Sequence, residues 1–191
     1  MDGDERGSTV RGTRPQMDPD EHRWTRTYAP TVCVILPDLP CSMRIRIARI
    51  HGRHRLHCVR SDGSHSQAAA GPDLPHHDLA HYVAERTMRL KAGFFGAIAA
   101  GRSIDELSDP AVIRTLPREA WDAEILARTL QGTDNGTVKP EDFITSVTLE
   151  RGAPLEGLDQ EKVALMTSEF DALLNRWQEV PEGGALELEW M

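Results

Sequence analysis

His77 and His81 stand four residues apart in Leu74-Pro-His-His-Asp-Leu-Ala-His-Tyr-Val-Ala-Glu85. In a helix that spacing places two imidazoles one turn apart on the same face, where both can reach one ion. The string His77-Asp-Leu-Ala-His81 copies the metalloprotease pattern HExxH with Asp78 in the place of the general base. Aspartate is one methylene shorter than glutamate, which draws its carboxylate back by about 1.5 Å, one carbon–carbon bond. Its reach toward a metal-bound water is correspondingly reduced. Glu85 lies two turns beyond His77, about 12 Å along the axis. The expected ligand pair is therefore His77 with His81, or His81 with Glu85, and not all three together. On this reading His77 and His81 hold zinc or another divalent metal, while Asp78 or Glu85 orients a ligand or activates water.

A third ligand must come from elsewhere, because no histidine follows His81. The candidates are His57, His65, His76, Cys58 and three carboxylates of the C-terminal half, Glu106, Glu119 and Glu124. A noncatalytic account competes with the metal. His77 can bond near the start of the helix, His81 can satisfy a carbonyl at the core edge, and Glu85 can pair with Arg89 at i+4. Asp78 near the helix N-terminus is favoured by the helix dipole alone. On a helical projection the His77, His81, Glu85 stripe flanks the apolar sector of Leu79, Val83 and Leu90, at the border between core and solvent.

The elements that must position these residues are readable in outline. Met43 to Ile50 and Arg53 to Val59 each alternate with period two around His51-Gly52, the pattern of an antiparallel hairpin. Ser61-Asp-Gly-Ser64 ends it, and Ala68 to Pro75 has the composition of a loop. Helices are expected from His76 or His77 to Leu90, from the capping box Ser103-Ile-Asp-Glu106, from Pro117 to Gln131 with Gly132 beyond its end, and from Pro140 to Glu150. The last helix, capped by Asp159, carries one apolar stripe of Val163, Met166, Phe170, Leu173, Leu174 and Trp177. Ala185 to Trp190 alternates as a closing strand. If it joins the hairpin, Glu187 and Glu189 face Arg44 and Arg46 across a ladder.

The result is an α+β fold: a small antiparallel sheet, built from the N-terminal hairpin and the C-terminal strand, covered by about five helices. Residues 43–191 form this single domain. Residues 1–42, rich in Gly, Pro, Asp and Arg, are expected to be a disordered or dispensable arm with one short strand near Val32 to Leu36. Alternation begins so abruptly at Met43 that a translation start there is expected, and the intact mass of the native protein checks it.

Charge and composition exclude several classes. The 191 residues carry 22 Lys and Arg against 30 Asp and Glu, a formal charge of −8, with 39% hydrophobic and 5% aromatic residues. That is enough apolar material for a modest core and too much for full disorder. The longest apolar stretch, Phe94 to Ala100, is far short of the roughly 20 residues of a membrane span, so no membrane partner is expected. The acidic, polar start is unlike a secretion signal, and Cys33, Cys41 and Cys58 lack any paired spacing; a cytoplasmic protein with reduced thiols follows. Residues 43–91 carry a net +5 and residues 92–191 a net −11. Arg44, Arg46, Arg53 and Arg55 have no aromatic residues among them, which argues against a nucleic-acid platform and for a solvated strand face. Gly93-Phe-Phe-Gly96 lacks the preceding strand of a phosphate loop and is expected to serve close helix packing.

The order of these features resembles a family of small uncharacterised bacterial proteins. That family carries a Pro-His-Asp-Leu-x-His-Phe/Tyr-Val-x-Glu helix followed by a Gly-Phe-Trp-Gly segment. The likeness covers residues 43 to 107, from the basic hairpin ending in Arg60-Ser-Asp-Gly63, through His77-Asp-Leu-Ala-His-Tyr-Val-Ala-Glu85, to Gly93-Phe-Phe-Gly96 and Ala99-Ala-Gly101. It departs at His76, where the family has proline, and at Phe95, where it has tryptophan. The resemblance implies that His77, Asp78, His81 and Glu85 are the residues to test, and it supplies no reaction. Two functions are consistent with the sequence: a cytoplasmic zinc-binding protein, with a metal-dependent hydrolase as its catalytic form, and a noncatalytic protein–protein interaction module, such as a homodimer, with a structural His/Glu stripe.

Overall fold

A computed structural model describes residues 42–70 and 74–191. The expected N-terminal arm, the strand anticipated at Val32 to Leu36, and the question of a start at Met43 lie outside the described residues. So do Cys33 and Cys41.

Strands β1 (Met43–Ile50) and β2 (Arg53–Arg60) form the expected hairpin, and β4 (Ala185–Trp190) joins β1 antiparallel. The hinge of the hairpin is His51-Gly52, both at positive φ, which suits a tight turn between twisted strands. One strand was not expected. β3 (His65–Ala70) continues from the Ser61–Ser64 turn and pairs with β2, giving the order β3-β2-β1-β4. Its Ala68-Ala-Ala70 run has little strand propensity of its own. It is extended because the edge of β2 offers it a ladder, a case of tertiary pairing overriding local preference.

Alternation sorts the sheet into two faces. Met43, Ile45, Ile47, Leu56, Cys58, Leu186, Leu188 and Trp190 point inward and are buried. Arg44 and Arg46 point outward opposite Glu189 and Glu187, as the charge pattern predicts, and Arg46 Nε donates to Glu187 Oε1 at 2.8 Å. Both side chains of that pair are about half exposed or more, so solvent screens it. Arg46→Ala is expected to cost no more than about 0.5 kcal/mol in urea unfolding, and less in high salt.

Seven helices lie among the described residues: α1 (Leu74–Met88), α2 (Phe94–Ala99), α3 (Ile104–Leu107), α4 (Pro110–Ile113), α5 (Arg118–Asp134), α6 (Phe143–Arg151, entered through a 3-10 turn at Pro140–Asp142) and α7 (Gln160–Gln178). The short α2 and α4 are the additions to the expected five. Capping is as the residues suggest: Ser103 and Glu106 complete a capping box for α3, and Asp159 accepts from the Lys162 N–H at the start of α7. The α7 stripe from Val163 to Trp177 is buried throughout. Gly132, expected beyond the end of its helix, lies inside α5 instead. A side chain there would meet Val138 Cγ2 at 2.8 Å, so glycine serves the close return of the chain after α5 and not its termination. Helix α1 is packed between α5 and α7. Tyr82 on α1 donates to the Glu189 carbonyl at 3.0 Å, tying that helix to the sheet.

Candidate metal centre

Helix α1 carries Pro75, buried and suited to a first turn, as its second residue, and runs with its His77, His81, Glu85 stripe turned toward α5 and α2. His77 sits half-buried at the core border, as its position on the helix suggests, but the rest of the stripe is interior. His81 is 4% exposed and Glu85 is completely buried, because α5 lies along one side of it and the start of α2 is set down on Glu85. The Glu85 carboxylate accepts the backbone N–H groups of Phe94 at 2.8 Å, Phe95 at 3.1 Å and Gly96 at 3.2 Å. Three orphan donors at the start of a helix thus share one buried anion. A Cβ at Gly93 would fall 2.3 Å from Glu85 Cδ, and one at Gly96 would fall 2.3 Å from the Lys91 carbonyl oxygen. The two glycines of Gly93-Phe-Phe-Gly96 are therefore the condition for this close approach, the packing role expected of them. Glu85 does not pair with Arg89.

The remaining bond of Glu85 is to His81, whose Nδ1–H donates to Oε1 at 3.0 Å. That leaves Nε2 directed to the other side of the ring, where Glu124 Oε2 stands at 3.1 Å. His77 is arranged the same way. Its Nδ1–H donates to Gln131 Oε1 at 2.9 Å, and its Nε2 faces Glu124 Oε2 at 3.7 Å. The two rings meet edge to face with centroids 4.6 Å apart. His77, His81 and Glu124 each bring one donor atom into a group whose members lie within 4.8 Å of one another, and that group could hold a metal ion. Ligand atoms about 2.0–2.1 Å from zinc in a tetrahedron sit about 3.3 Å apart, close to the two separations from Glu124.

Glu124 is one of the three carboxylates the sequence left open, and the structure separates them. Glu106 is occupied by its capping box and Glu119 by the N–H groups of Lys91 and Ala92. Only Glu124, of these three, faces the imidazoles. His57 and His65 lie together on the outer face of the sheet, 5.5 Å between ring centroids, remote by strand alternation from α1. His76 is exposed. Cys58 is buried, with burial and then the nearby Asp78 charge pushing its thiol up to about 12, and its sulfur is not among the donor atoms that group with His77 and His81. Gln131 was not anticipated. Its signal was available in the i, i+7 relation to Glu124, which puts both on one face of α5.

Charge in the cluster is shared. Burial opposes a proton on His81, yet hydrogen bonds to Glu124 and Glu85 outweigh it and raise its pKa to about 9. The same His81 contact holds the Glu124 carboxyl below the ordinary glutamate value against its desolvation. Asp78 is not one of the grouped donor atoms; it lines the same cavity, with Oδ2 3.5 Å from His54 Nε2 on β2. His54 is fully buried on β2, and neither of its ring nitrogens has a hydrogen-bond partner among the described residues.

His77, Asp78, His81 and Glu124 form one wall of a cavity of about 560 Å³. Leu56 of β2, Ile104 and Leu107 of α3, and Ile113 of α4 form much of the rest, and Trp121, 46% exposed, stands at it from α5. The unexpected β3 helps build this space: its Ser66 hydroxyl accepts the Ile104 N–H at 2.9 Å and fixes the start of α3.

No protein-family model, curated protein or solved structure matches the chain. No described helix is long and apolar enough to cross a membrane.

Proposed function

We propose that this protein binds a divalent transition metal, zinc being the reference ion, through His77 Nε2, His81 Nε2 and a Glu124 carboxylate oxygen. The observation that carries the reading is the arrangement around the two rings. Each Nδ1 is engaged by an outer acceptor, Glu85 or Gln131, so each Nε2 is directed at the same carboxylate oxygen. Metal-ligating histidines are held by such outer partners, which fix tautomer and ring orientation. Two histidines and a carboxylate leave a fourth position open, the ligand set of catalytic rather than structural zinc sites, and the position opens on the cavity. A metal there would lower the pKa of a bound water and polarise a carbonyl, the chemistry of a metal-dependent hydrolase. Asp78, on the cavity wall beside His77, is the proposed proton acceptor. Glu85 acts through His81 as a positioning residue. The reading includes a cytoplasmic setting.

A second reading has its own support. A protonated His81 between two carboxylates is a satisfied ion network without any metal, tying α1 to α5 in a noncatalytic interaction module. Metal analysis separates the two. Untagged protein is expected to retain close to one equivalent of zinc after dialysis. Added zinc should raise its melting temperature by mass action. Glu124→Ala and His77→Ala, each at a partly exposed position, should abolish retention while the fold survives by circular dichroism. Absence of retained zinc, manganese, iron or nickel together with an unchanged melting temperature overturns the metal reading.

A further inference from the structure

The cavity above the His77, His81 and Glu124 group has a division of character that points to what enters it. Its charged and imidazole side chains come from α1 and α5. The lining from β2, α3 and α4 is mainly hydrocarbon, Leu56, Ile104, Leu107 and Ile113, with the Ser108 hydroxyl, which donates to the Ile104 carbonyl at 3.0 Å, as its polar member. A volume of about 560 Å³ falls within the range of small-molecule sites and far exceeds what one water or a bare ion needs. Arg128 is the cation at the rim, and its guanidinium is engaged by Glu124 Oε1 at 3.4 Å and by Glu150. It is thus compensated, and among the described residues lining the space no second uncompensated cation stands beside the metal to hold the further charges of a phosphate or a polyanion.

We infer that the site takes a small acyl compound, a carboxylic acid derivative with a hydrocarbon body of several carbons, whose oxygen end completes the coordination of the metal while the body fills the apolar end of the cavity. The inference rests on the metal reading above and adds to it the chemical class of the ligand. A polar head at the ion and a tail against Leu56, Ile104, Leu107 and Ile113 is the orientation in which each part meets its own kind of wall. Reversed, the head group would lose its water among mainly hydrocarbon side chains, where the Ser108 hydroxyl is already spent on the Ile104 carbonyl. The helix of Ile104 and Leu107 is held by Ser66, and the ion's ligands by Glu85 and Gln131, so both ends of the site are preorganised.

Straight-chain hydroxamic acids test this, since the hydroxamate chelates zinc and the chain can be lengthened one carbon at a time. Trp121 on the cavity supplies the fluorescence readout, with Trp121→Phe as the control for signal origin. For the zinc-loaded full chain, affinity is expected to rise about fourfold per added methylene from butanohydroxamic to octanohydroxamic acid, equivalent to about 0.8 kcal/mol each. Chelation of the zinc should weaken octanohydroxamate at least tenfold. Leu107→Trp, or Ala120→Phe on the half-buried face of α5, should abolish the dependence on chain length and leave the zinc content at one equivalent. Zinc held normally with affinity flat along the series, or a steep series untouched by both filling variants, overturns this inference and leaves the metal reading standing. Failure of the wild-type chain to hold zinc overturns the metal reading, and this inference falls with it.

Discussion

Glu85→Gln is expected to destabilise the protein by about 3–5 kcal/mol in urea unfolding, the range for removing one member of a buried charged pair. The carboxylate is completely buried and accepts four donors, the N–H groups of Phe94, Phe95 and Gly96 and the His81 Nδ1–H. An amide of the same shape brings an NH2 group against those donors and leaves a charged His81 with one partner fewer. Gly93→Ala attacks the same contact from the other side, since its new Cβ would lie 2.3 Å from Glu85 Cδ. Glu85→Ala and Gly93→Ala should not add. Once Glu85 is truncated to alanine the space that Gly93→Ala needs is free, so the double variant should cost clearly less than the sum of the singles. Glu85→Gln should also weaken zinc retention by 10–100-fold, the scale seen when an outer partner of a metal-ligating histidine is lost. Unfolding of Glu85→Gln within about 1 kcal/mol of wild type would show that Glu85 and His81 do not form a buried charged pair.

Physical range explains what could be read before the chain was folded. Period-two alternation in Met43–Val59 and Ala185–Trp190, and the stripe of α7, report faces that each segment carries within itself. The sheet and its covering helix follow directly. The capping box of α3 and the Asp159 cap of α7 are equally local. β3 is different, because Ala68-Ala-Ala70 becomes a strand through what β2 offers it. Gly132 carries the same lesson in reverse: a residue that ends many helices is here kept for clearance against Val138. At the site, the His77 and His81 pair is a property of one helix and was visible. The choice of Glu124 over Glu106 and Glu119 depends on how α5 is rotated against α1, which no spacing within α5 records. Glu85 illustrates the limit most clearly. Its place on the helix indicated a border position, yet a second element packed down on it makes it interior. The glycines that permit this were legible as packing residues, but not as packing on Glu85.

Stability of the zinc-chelated protein is expected to fall as pH rises from 6.5 to 8.5, by about 2 kcal/mol, with each pKa unit worth about 1.4 kcal/mol. The sign follows from His81. Its folded pKa of about 9 lies above the ordinary histidine value of 6.5, so the folded chain holds a proton that the unfolded chain releases first. The stabilisation is complete below pH 6.5 and is lost as pH climbs through 9. Above about pH 8.5 Cys58 adds a decline of its own, because its buried thiol stays protonated when an exposed one would ionise. The lower window therefore belongs to the imidazole between Glu85 and Glu124. Zinc must displace the proton from Nε2 before it can bind, so its affinity should move the opposite way, rising up to tenfold per pH unit toward 9. Melting curves recorded across this window with a chelator and with saturating zinc should diverge as pH rises, the chelated protein losing stability while the gain from zinc grows. His81→Gln should flatten both trends. A chelated wild-type protein whose stability holds level or rises from pH 6.5 to 8.5 would refute the charged imidazole, and a zinc effect independent of pH would refute His81 as its ligand.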